Sequence, residues 1–558
     1  MNRLWILLAC GLILASCVKD EWKLNDQTRI DGLDPSFAFP LLDTRLNLGN
    51  LEQEFDSENF IYNAEDETFA LVYAADLFRF GVEDLQNIQE QQFDVDYALS
   101  AGEATALTAL PAGNTASFSQ SSELSFAVDN GEELDSIRFA GGALSLELSS
   151  TIPHDVNVGI QIPGLTLNGV PFVGLMVLDY TGLVPFFTTE SFDLTGYVLD
   201  LTQNGTTNNT MDFDLEFIVT SSGMPTAPAS SLELNINLDV SQFRALHGYL
   251  GQLSAATSVD TQFVNLFRDL NGGVLYFQDP KIELTISNTT GIPVNVFLDG
   301  VYAPENSEDQ QLSGPDLTNF PQISPAAFPG DIAVTEHVIS NAGTDPPLSS
   351  LLDEGPFELI YFSELSINLD GPTQNFLLDT SYIACHVDMI LPFFGYADNF
   401  ALSDTLDLDL EAELLNAQDG NLGWEDVKKV TLRLIADNGL PIQIAGQVYF
   451  ADTNNVIIDS LFQNQYEAIF EAGYVDFSLP DTDPNYGKVI AFTRKITDVV
   501  LTSAQLKALS DAGSKKVILR SRANTNEASN GEVVRFYPEY ELKMKLSAKI
   551  DTDININE

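Results

Sequence analysis

Apolar and polar residues alternate one for one through much of this 558-residue chain. Leu232-Glu-Leu-Asn-Ile-Asn-Leu-Asp-Val240 and Leu542-Lys-Met-Lys-Leu-Ser-Ala-Lys-Ile550 are the clearest runs, and Leu406-Asp-Leu-Asp-Leu410 is a shorter one. Successive side chains of a strand point to opposite faces, so a period of two gives each strand one face for a core and one for water. Such strands must pack in paired sheets, and several β-sandwich domains in tandem are predicted. Three stretches read instead as short packing helices that close sandwich ends. Val240, Phe243, Leu246 and Leu250 share one helical face, as do Phe263, Leu266, Phe267 and Leu270. Thr502 and Gln505 form a capping box ahead of Leu506 and Leu509. Lys543, Lys545 and Lys549 fall on the polar face of the last strand and are expected in solvent.

Aligning prolines uncovers a repeat. Leu144-x-Leu146 precedes Ile152-Pro153 and Val156; Leu284-x-Ile286 precedes Ile292-Pro293 and Val296; Leu432-x-Leu434 precedes Leu440-Pro441 and Ile444. Each copy reads as an alternating strand, a break where proline removes a donor, and a second strand. Asn288 with Gly291, and Asn438 with Gly439, supply turn chemistry between them. Ile383-x-Cys385 before Leu391-Pro392 is a weaker fourth copy. The spacing of the clear copies is a domain's length rather than a solenoid's period.

The predicted division is residues 1–16 as a signal peptide, 17–33 as a tether and 34–125 as an N-terminal, irregular β domain. Three sandwich repeats follow at 126–260, 261–415 and 416–558, the second with a Pro-rich excursion from Glu305 to Pro347 and the third with basic C-terminal strands. Pro111 to Ser122 and Ser221 to Ser231 are candidate joints. The strand at Asp34-Pro-Ser-Phe-Ala-Phe-Pro-Leu-Leu42 would open the first domain.

The formal charge is 25 − 81 = −56, and it is uneven. Lys488 to Glu558 holds 12 Lys/Arg against 9 Asp/Glu, leaving 13 against 72 elsewhere. Such a field repels phosphate, which excludes nucleic acid as a partner.

The leader accounts for two of the three cysteines. Asn2-Arg3 is followed by an apolar run from Leu4 to Leu14 and the small residues Ala15-Ser16, the three parts of a secretory signal. Leu14-Ala15-Ser16-Cys17 resembles the lipobox of bacterial lipoproteins, which implies an acylated Cys17 as mature N-terminus. Leu7-Leu8-Ala9-Cys10 has the same form, but only about half a dozen apolar residues precede it, too few for a signal core. Cys10 would leave with the leader, and Cys385 has no partner for a disulfide. Lys19-Asp20-Glu21 resembles the export signal that sends Bacteroidota lipoproteins to the outer face of the outer membrane. Cys17-x-Lys-Asp-Glu21, Ala38-Phe-Pro-Leu41, Phe243-Arg-Ala-Leu-His-Gly-Tyr249 and Asn288-Thr-Thr-Gly-Ile-Pro293 together resemble large outer-membrane lipoproteins of Bacteroidota with no characterised activity. The strand-Asn-Gly-x-Pro-strand unit is also similar to late-embryogenesis-abundant type 2 domains, which implies immunoglobulin-like sandwiches. Neither resemblance brings an active site.

Chemistry is sparse in the rest of the chain. His154, His247, His337 and His386 have no zinc-ligand spacing, and H-E-x-x-H, C-x-x-C, G-x-S-x-G and phosphate-cradling glycine motifs are absent. Cys385 and His386 are neighbours on a strand and should face opposite ways. Asp481-Thr-Asp-Pro-Asn-Tyr-Gly487 begins like a calcium loop, but its glycine stands at position 7 and Phe492 at position 12. Asp452-Thr-Asn-Asn-Val456 fails at the third ligand, so tight acidic turns are expected, with weak divalent-cation binding the most they offer. Once the leader is gone Trp22 and Trp424 remain, few for stacking sugar rings. The expectation is a non-enzymatic, lipid-anchored, surface-facing outer-membrane lipoprotein. It would bind or scaffold in envelope assembly or adhesion, partnered by the membrane and a β-barrel protein, with no metal or cofactor beyond the lipid. Glycan binding in a polysaccharide-uptake system is one alternative, and a hydrolase built on paired carboxylates is another.

Overall fold

The structure is a computed structural model. It describes residues 36–47, 60–63, 68–85, 88–256, 260–263, 273–302, 311–352, 358–407, 427–462, 467–480 and 483–552. The chain is mostly β, in several antiparallel sheets with few helices, as its alternation predicts.

In the first sandwich one sheet orders the strands Phe186–Asp193, Ala143–Ser150, Ser231–Leu238 and Gln91–Ala98. The facing sheet contains Glu133–Phe139, Asp155–Leu167, Thr210–Thr220 and Thr115–Ser125, with Val170–Leu178 added beside Asp155–Leu167. Tyr97 from the first sheet meets Phe217 from the second edge to face at 4.9 Å, and Phe118 stacks on Phe217 at 5.1 Å. The second sandwich pairs Thr68–Phe80, Ile383–Pro392, Lys281–Asn288 and Ala333–Ser340 on one side with Glu358–Ile367 and Val294–Tyr302 on the other. In the third, Ser36–Asn47, Glu541–Thr552, Val427–Asn438 and Thr493–Thr502 form one sheet, and Phe400–Asp407, Lys516–Thr525 and Ile442–Ala451 lie in the other.

Each clear copy of the proline repeat is the arch by which the chain leaves one sheet and enters its partner. Ala143–Ser150 crosses to Asp155–Leu167, Lys281–Asn288 to Val294–Tyr302, and Val427–Asn438 to Ile442–Ala451. A crossing takes backbone donors through the core, away from both ladders, where an unpaired N–H is costly. One device handles this in all three copies. The residue two places before the Ile/Leu-Pro pair is buried and polar, and its oxygen accepts the N–H of that Ile or Leu. Ser150 Oγ accepts from Ile152 at 3.1 Å, Thr290 Oγ1 from Ile292 at 3.1 Å, and Asn438 Oδ1 from Leu440 at 2.9 Å. Asn438 also donates from Nδ2 to the carbonyls of Ile442 and Glu471, both at 2.8 Å. Asn288 does the same for Ile292 and Ser324, at 2.9 and 3.1 Å. In the weaker fourth copy Met389 occupies the capping place, and the strand runs unbroken from Ile383 to Pro392.

The chain visits these sandwiches in a nested order rather than in tandem. Ser36–Asn47 lies beside Glu541–Thr552 in the third sandwich, from Ser36 opposite Asp551 to Asn47 opposite Glu541. Thr68–Phe80 then pairs with Ile383–Pro392 in the second. Residues 91–238 build the first, after which the path returns through the second to the third. The described strands between Ser36 and Ser125 are thus spread over all three sandwiches instead of forming the predicted domain at 34–125. The division at 260/261 is crossed as well: Asn375–Leu378 pairs with Phe243–Tyr249 in the first sandwich's sheet. One hydrophobic core runs from Leu85 to Leu391, while Leu434, Ile444, Ala523 and Leu542 belong to a separate core in the third sandwich. Val274–Phe277, Phe394–Asp398 and Val534–Arg535 form a small sheet between the two, in which a Cβ at Gly395 would run into the Tyr276 carbonyl.

Three local expectations change. Phe243–Tyr249 is a strand, not a helix, and its register shifts between Phe243 and Ala245 and again between His247 and Gly248. Each bulge moves the inward parity by one, so its apolar residues mimic a helical spacing. Pro111 to Ser122 is no joint, since most of it belongs to the strand Thr115–Ser125, and Ser221 to Ser231 is a loop within the first sandwich. In the Pro-rich excursion, Ile323 bridges Val294 and Ala333–Ser340 forms a sheet edge. Phe263 ends the strand Asp260–Phe263, and Leu266 to Leu270 lie outside the described residues. The helix Ser503–Asp511 forms as predicted, with its Thr502–Gln505 capping box and buried Leu506 and Leu509. A second capped helix, Ala101–Ala109, is opened by Ser100 and Glu103.

Asn438→Leu should strand the Leu440 N–H and two carbonyls. At about 1–3 kcal/mol for each buried group left unpaired, the apparent Tm should drop by about 5 °C or more. Ser150→Ala, which removes one acceptor, should lower it less. Equal stability of Asn438→Leu and the parent by calorimetry would contradict the capping role.

Candidate functional site

The predicted anchor, Cys17 with Leu14, Ala15 and Ser16, and the export residues Lys19, Asp20 and Glu21 lie outside the described residues. Trp22, Trp424 and Asp481 do so too. Among the described residues no helix is long and apolar enough to cross a membrane.

Cys385 and His386 divide between the faces of their strand as alternation requires. Cys385 is buried, and burial followed by the nearby Asp76 carboxylate pushes its thiol up to about 12. His386 faces out, with Nδ1 2.8 Å from Asp76 Oδ1 and Nε2 3.6 Å from Asp388 Oδ1. A thiol so protonated is a poor nucleophile.

His154 is fully buried at the first arch. Its Nδ1 accepts from the Ser222 N–H at 3.1 Å, so Nε2 carries the proton and donates to Thr226 Oγ1 at 2.7 Å. The Ser222 hydroxyl lies 3.0 Å from Nδ1 but donates to the Pro153 carbonyl at 2.6 Å. The serine proton is therefore directed away from the imidazole, and the trio braces the arch. Burial is the main cause that holds the imidazole below the usual histidine range.

Carboxylates serve turns and ladders. Asp452 Oδ1 accepts from the N–H groups of Asn454 and Val456 at 2.8 and 2.9 Å, and Asp483 Oδ1 from Asn485 at 2.8 Å. Among the described residues no three His, Cys, Asp or Glu are placed to hold a metal. An open hollow of about 510 Å³ is lined in part by Glu123, Asp212 and Asp214. Two of these carboxylates are engaged there, Asp214 by the Ser121 hydroxyl and Asp212 by Gln203, both at 2.6 Å.

The basic residues of the third sandwich meet acidic ones directly across the ladder. Lys545 faces Asp43 at 3.1 Å, Arg433 faces Asp498 at 2.7 Å, and Lys429 faces Asp551 at 3.5 Å, each in register on a neighbouring strand. Arg494 and Asp437 pair in the same way. Lys549 bonds Asp551 at 2.9 Å, and Lys543 pairs with Glu541. The solvated lysine face is thus a set of ion pairs at the solvent boundary, of the kind that contributes little to stability. Ser36 first, then Lys549 and Lys429, hold the Asp551 carboxyl down to about 2.

One feature escapes residue-by-residue reading. Val170–Leu178 is a sheet-edge strand whose outward side chains are apolar, with Val173 61%, Leu175 73% and Val177 57% exposed. In sequence it reads as an ordinary buried strand. Its only signal is the lack of any charged residue between Val156 and Leu178.

No family model matches the chain, and no curated protein does. Among solved structures, a protein of Parabacteroides distasonis classed as secreted aligns over 55% of this chain and 88% of its own, at 11% identity and a TM-score of 0.26. A peptide-N(4)-(N-acetyl-β-D-glucosaminyl) asparagine amidase aligns over 54% of this chain and 96% of its own, at 10% identity and a TM-score of 0.14. A structure from Sulfolobus Turreted Icosahedral Virus covers 82% of this chain and 96% of its own, at 11% identity and a TM-score of 0.11.

A histidine held below its unfolded pKa contributes stability that is complete above the unfolded value and is lost as pH falls towards the folded one. Tm should therefore decline below about pH 6.5, and His154→Gln should lessen that slope; an unchanged slope would count against a buried neutral imidazole. Cys385 should resist a thiol reagent at pH 8 until the chain is unfolded in guanidinium, and rapid labelling of the native protein would contradict its burial.

Proposed function

We propose that the chain is a lipid-anchored outer-membrane lipoprotein, surface-facing, that acts as a binding or scaffold subunit and not as an enzyme. The observation that carries this reading is Leu14-Ala15-Ser16-Cys17 at the end of a signal-like run, followed by Lys19-Asp20-Glu21. Two lipid chains suffice for stable attachment, at about 0.8 kcal/mol per buried methylene.

The nested path gives the anchor an orientation. From Cys17 the first described strand begins at Ser36, so the tether spans at most about 65 Å when fully extended. That strand belongs to the third sandwich, which supports a reading in which this sandwich lies nearest the membrane and the inserted first sandwich farther along the chain path. Charge supports the same polarity. The C-terminal segment from Lys488 is the near-balanced part of the chain, whereas residues 91–238 hold 18 Asp/Glu and one basic residue, Arg138, a net of 1 − 18 = −17. An anionic membrane surface tolerates the first and repels the second.

Cys17→Ser should move the protein from the membrane to the soluble fraction of lysed cells, and continued retention would refute the lipid anchor. Proteinase added to intact cells should degrade the chain, and protection would refute surface exposure. A mild-detergent pull-down from native membranes should recover a β-barrel protein; recovery of the chain alone would refute the scaffold role.

A further inference from the structure

The hairpin Asp155–Leu167 and Val170–Leu178 ends in an edge strand that exposes three apolar side chains in succession, with no charged residue between them. On the edge strand at the other side of the same sheet, Thr115–Ser125, the outward positions are polar: Ser117, Ser119, Ser121 and Glu123. On Val170–Leu178 they are Val173, Leu175 and Val177, while Phe172, Met176 and Leu178 fill the core side. The strand pairs along one edge only, from Leu178 opposite Val156 to Val170 opposite Leu167, and has no second strand partner among the described residues. Edge strands are normally blunted by charge, proline or a bulge. Pro171 and a register break between Ile162 and Thr166 mark the start of this strand, but from Phe172 to Leu178 there is none of the three.

Nor does the apolar surface stop at that strand. The strand Phe186–Asp193 is the matching edge of the facing sheet, and it exposes Phe187 at 75%. Leu183, 77% exposed, sits on the connection between the two edges. Carboxylates bracket this strip. Asp155 and Asp179 stand together at the open end of the hairpin, Glu190 and Asp193 lie on the facing edge, and Glu216 lies in the same cross-strand row as Leu175, beyond Gly159.

We propose that Val170–Leu178 is a strand-addition site that takes an extended segment of a partner protein. Its occupant is apolar at alternate positions and carries Lys or Arg between and beside them. Main-chain hydrogen bonds to the free edge would supply affinity, and Val173, Leu175 and Val177 would select the alternate side chains. Charge decides the occupant's class: a second copy would bring a −17 sandwich against another, whereas a basic strand meets the carboxylates that flank the strip. The site names the kind of partner that the binding reading above requires, but it does not depend on the lipid anchor.

The test uses the full chain in detergent and a labelled nine-residue peptide with Val at alternate positions and Lys at the others. Anisotropy should show saturable binding that weakens at least tenfold when Glu replaces Lys in the peptide, and again as salt is raised. Leu175→Lys and the double variant Val173→Thr/Leu175→Thr should each weaken binding at least tenfold with unchanged Tm, since these side chains are exposed. No saturable binding, or equal binding by the variants, would overturn the site. A concentration-dependent dimer in sedimentation that Leu175→Lys abolishes would overturn the partner's class in favour of self-pairing. Membrane pull-downs with wild type and Leu175→Lys separate the two readings. Identical recovered proteins would sink the edge site while the scaffold role stood, and recovery of none by wild type would sink the scaffold role.

Discussion

Every sandwich in this protein depends on getting a backbone N–H across its core without losing a hydrogen bond. Where the chain leaves one sheet for the other, ladder pairing ends and proline removes one donor, but the residue before proline still has its own. Ser150, Thr290 and Asn438 meet that donor with a side-chain oxygen inside the core. They are three different residues with one task, and the position matters more than the identity. Asn438 and Asn288 go further and hold two carbonyls each, so that one amide ties both limbs of an arch to a third segment. Buried polar groups of this kind stabilise when fully paired and destabilise strongly when half paired.

The arches set the sandwiches, and nesting sets their relation to one another. Because the first described strand lies beside the last, the third sandwich encloses the rest of the described path in sequence. The acidic first sandwich is then an insertion in the second, with which it shares one core. Chemistry follows the same division. Titratable groups serve the fold: His154 braces an arch, Asp452 and Asp483 shape turns, and the basic strands near the C-terminus are matched by carboxylates across their own ladder.

Local features were the legible ones. Alternation located the long strands, Thr502 and Gln505 marked a helix start, and adjacency on a strand separated Cys385 from His386. The proline repeat was visible, but its cap was not. Ser150, Thr290 and Asn438 stand at a place that looks unconstrained when read as letters; Met389 is buried at the same place in the fourth copy, and only a side-chain acceptor distinguishes the other three from it. Phe243–Tyr249 misled because its bulges shift the period. Nesting was hidden for a different reason: the pairing of Ser36–Asn47 with Glu541–Thr552 is encoded in no local window. Val170–Leu178 was hidden because apolar residues look alike in sequence whether they face a core or the solvent.

Ser36 donates a hydrogen bond to Asp551, 515 positions later in the chain. That separation fixes an order of events for a polypeptide that emerges N-terminus first. The first sandwich has all of its Gln91–Leu238 strands long before the second receives Ile383–Pro392, and the third waits for Glu541–Thr552. Complete sets of strands therefore become available from the inserted sandwich outward, and Ser36–Asn47 appears long before its partner Glu541–Thr552. Until then Ser36–Asn47 is an orphan edge, and the repulsion among 81 carboxylates keeps waiting chains apart.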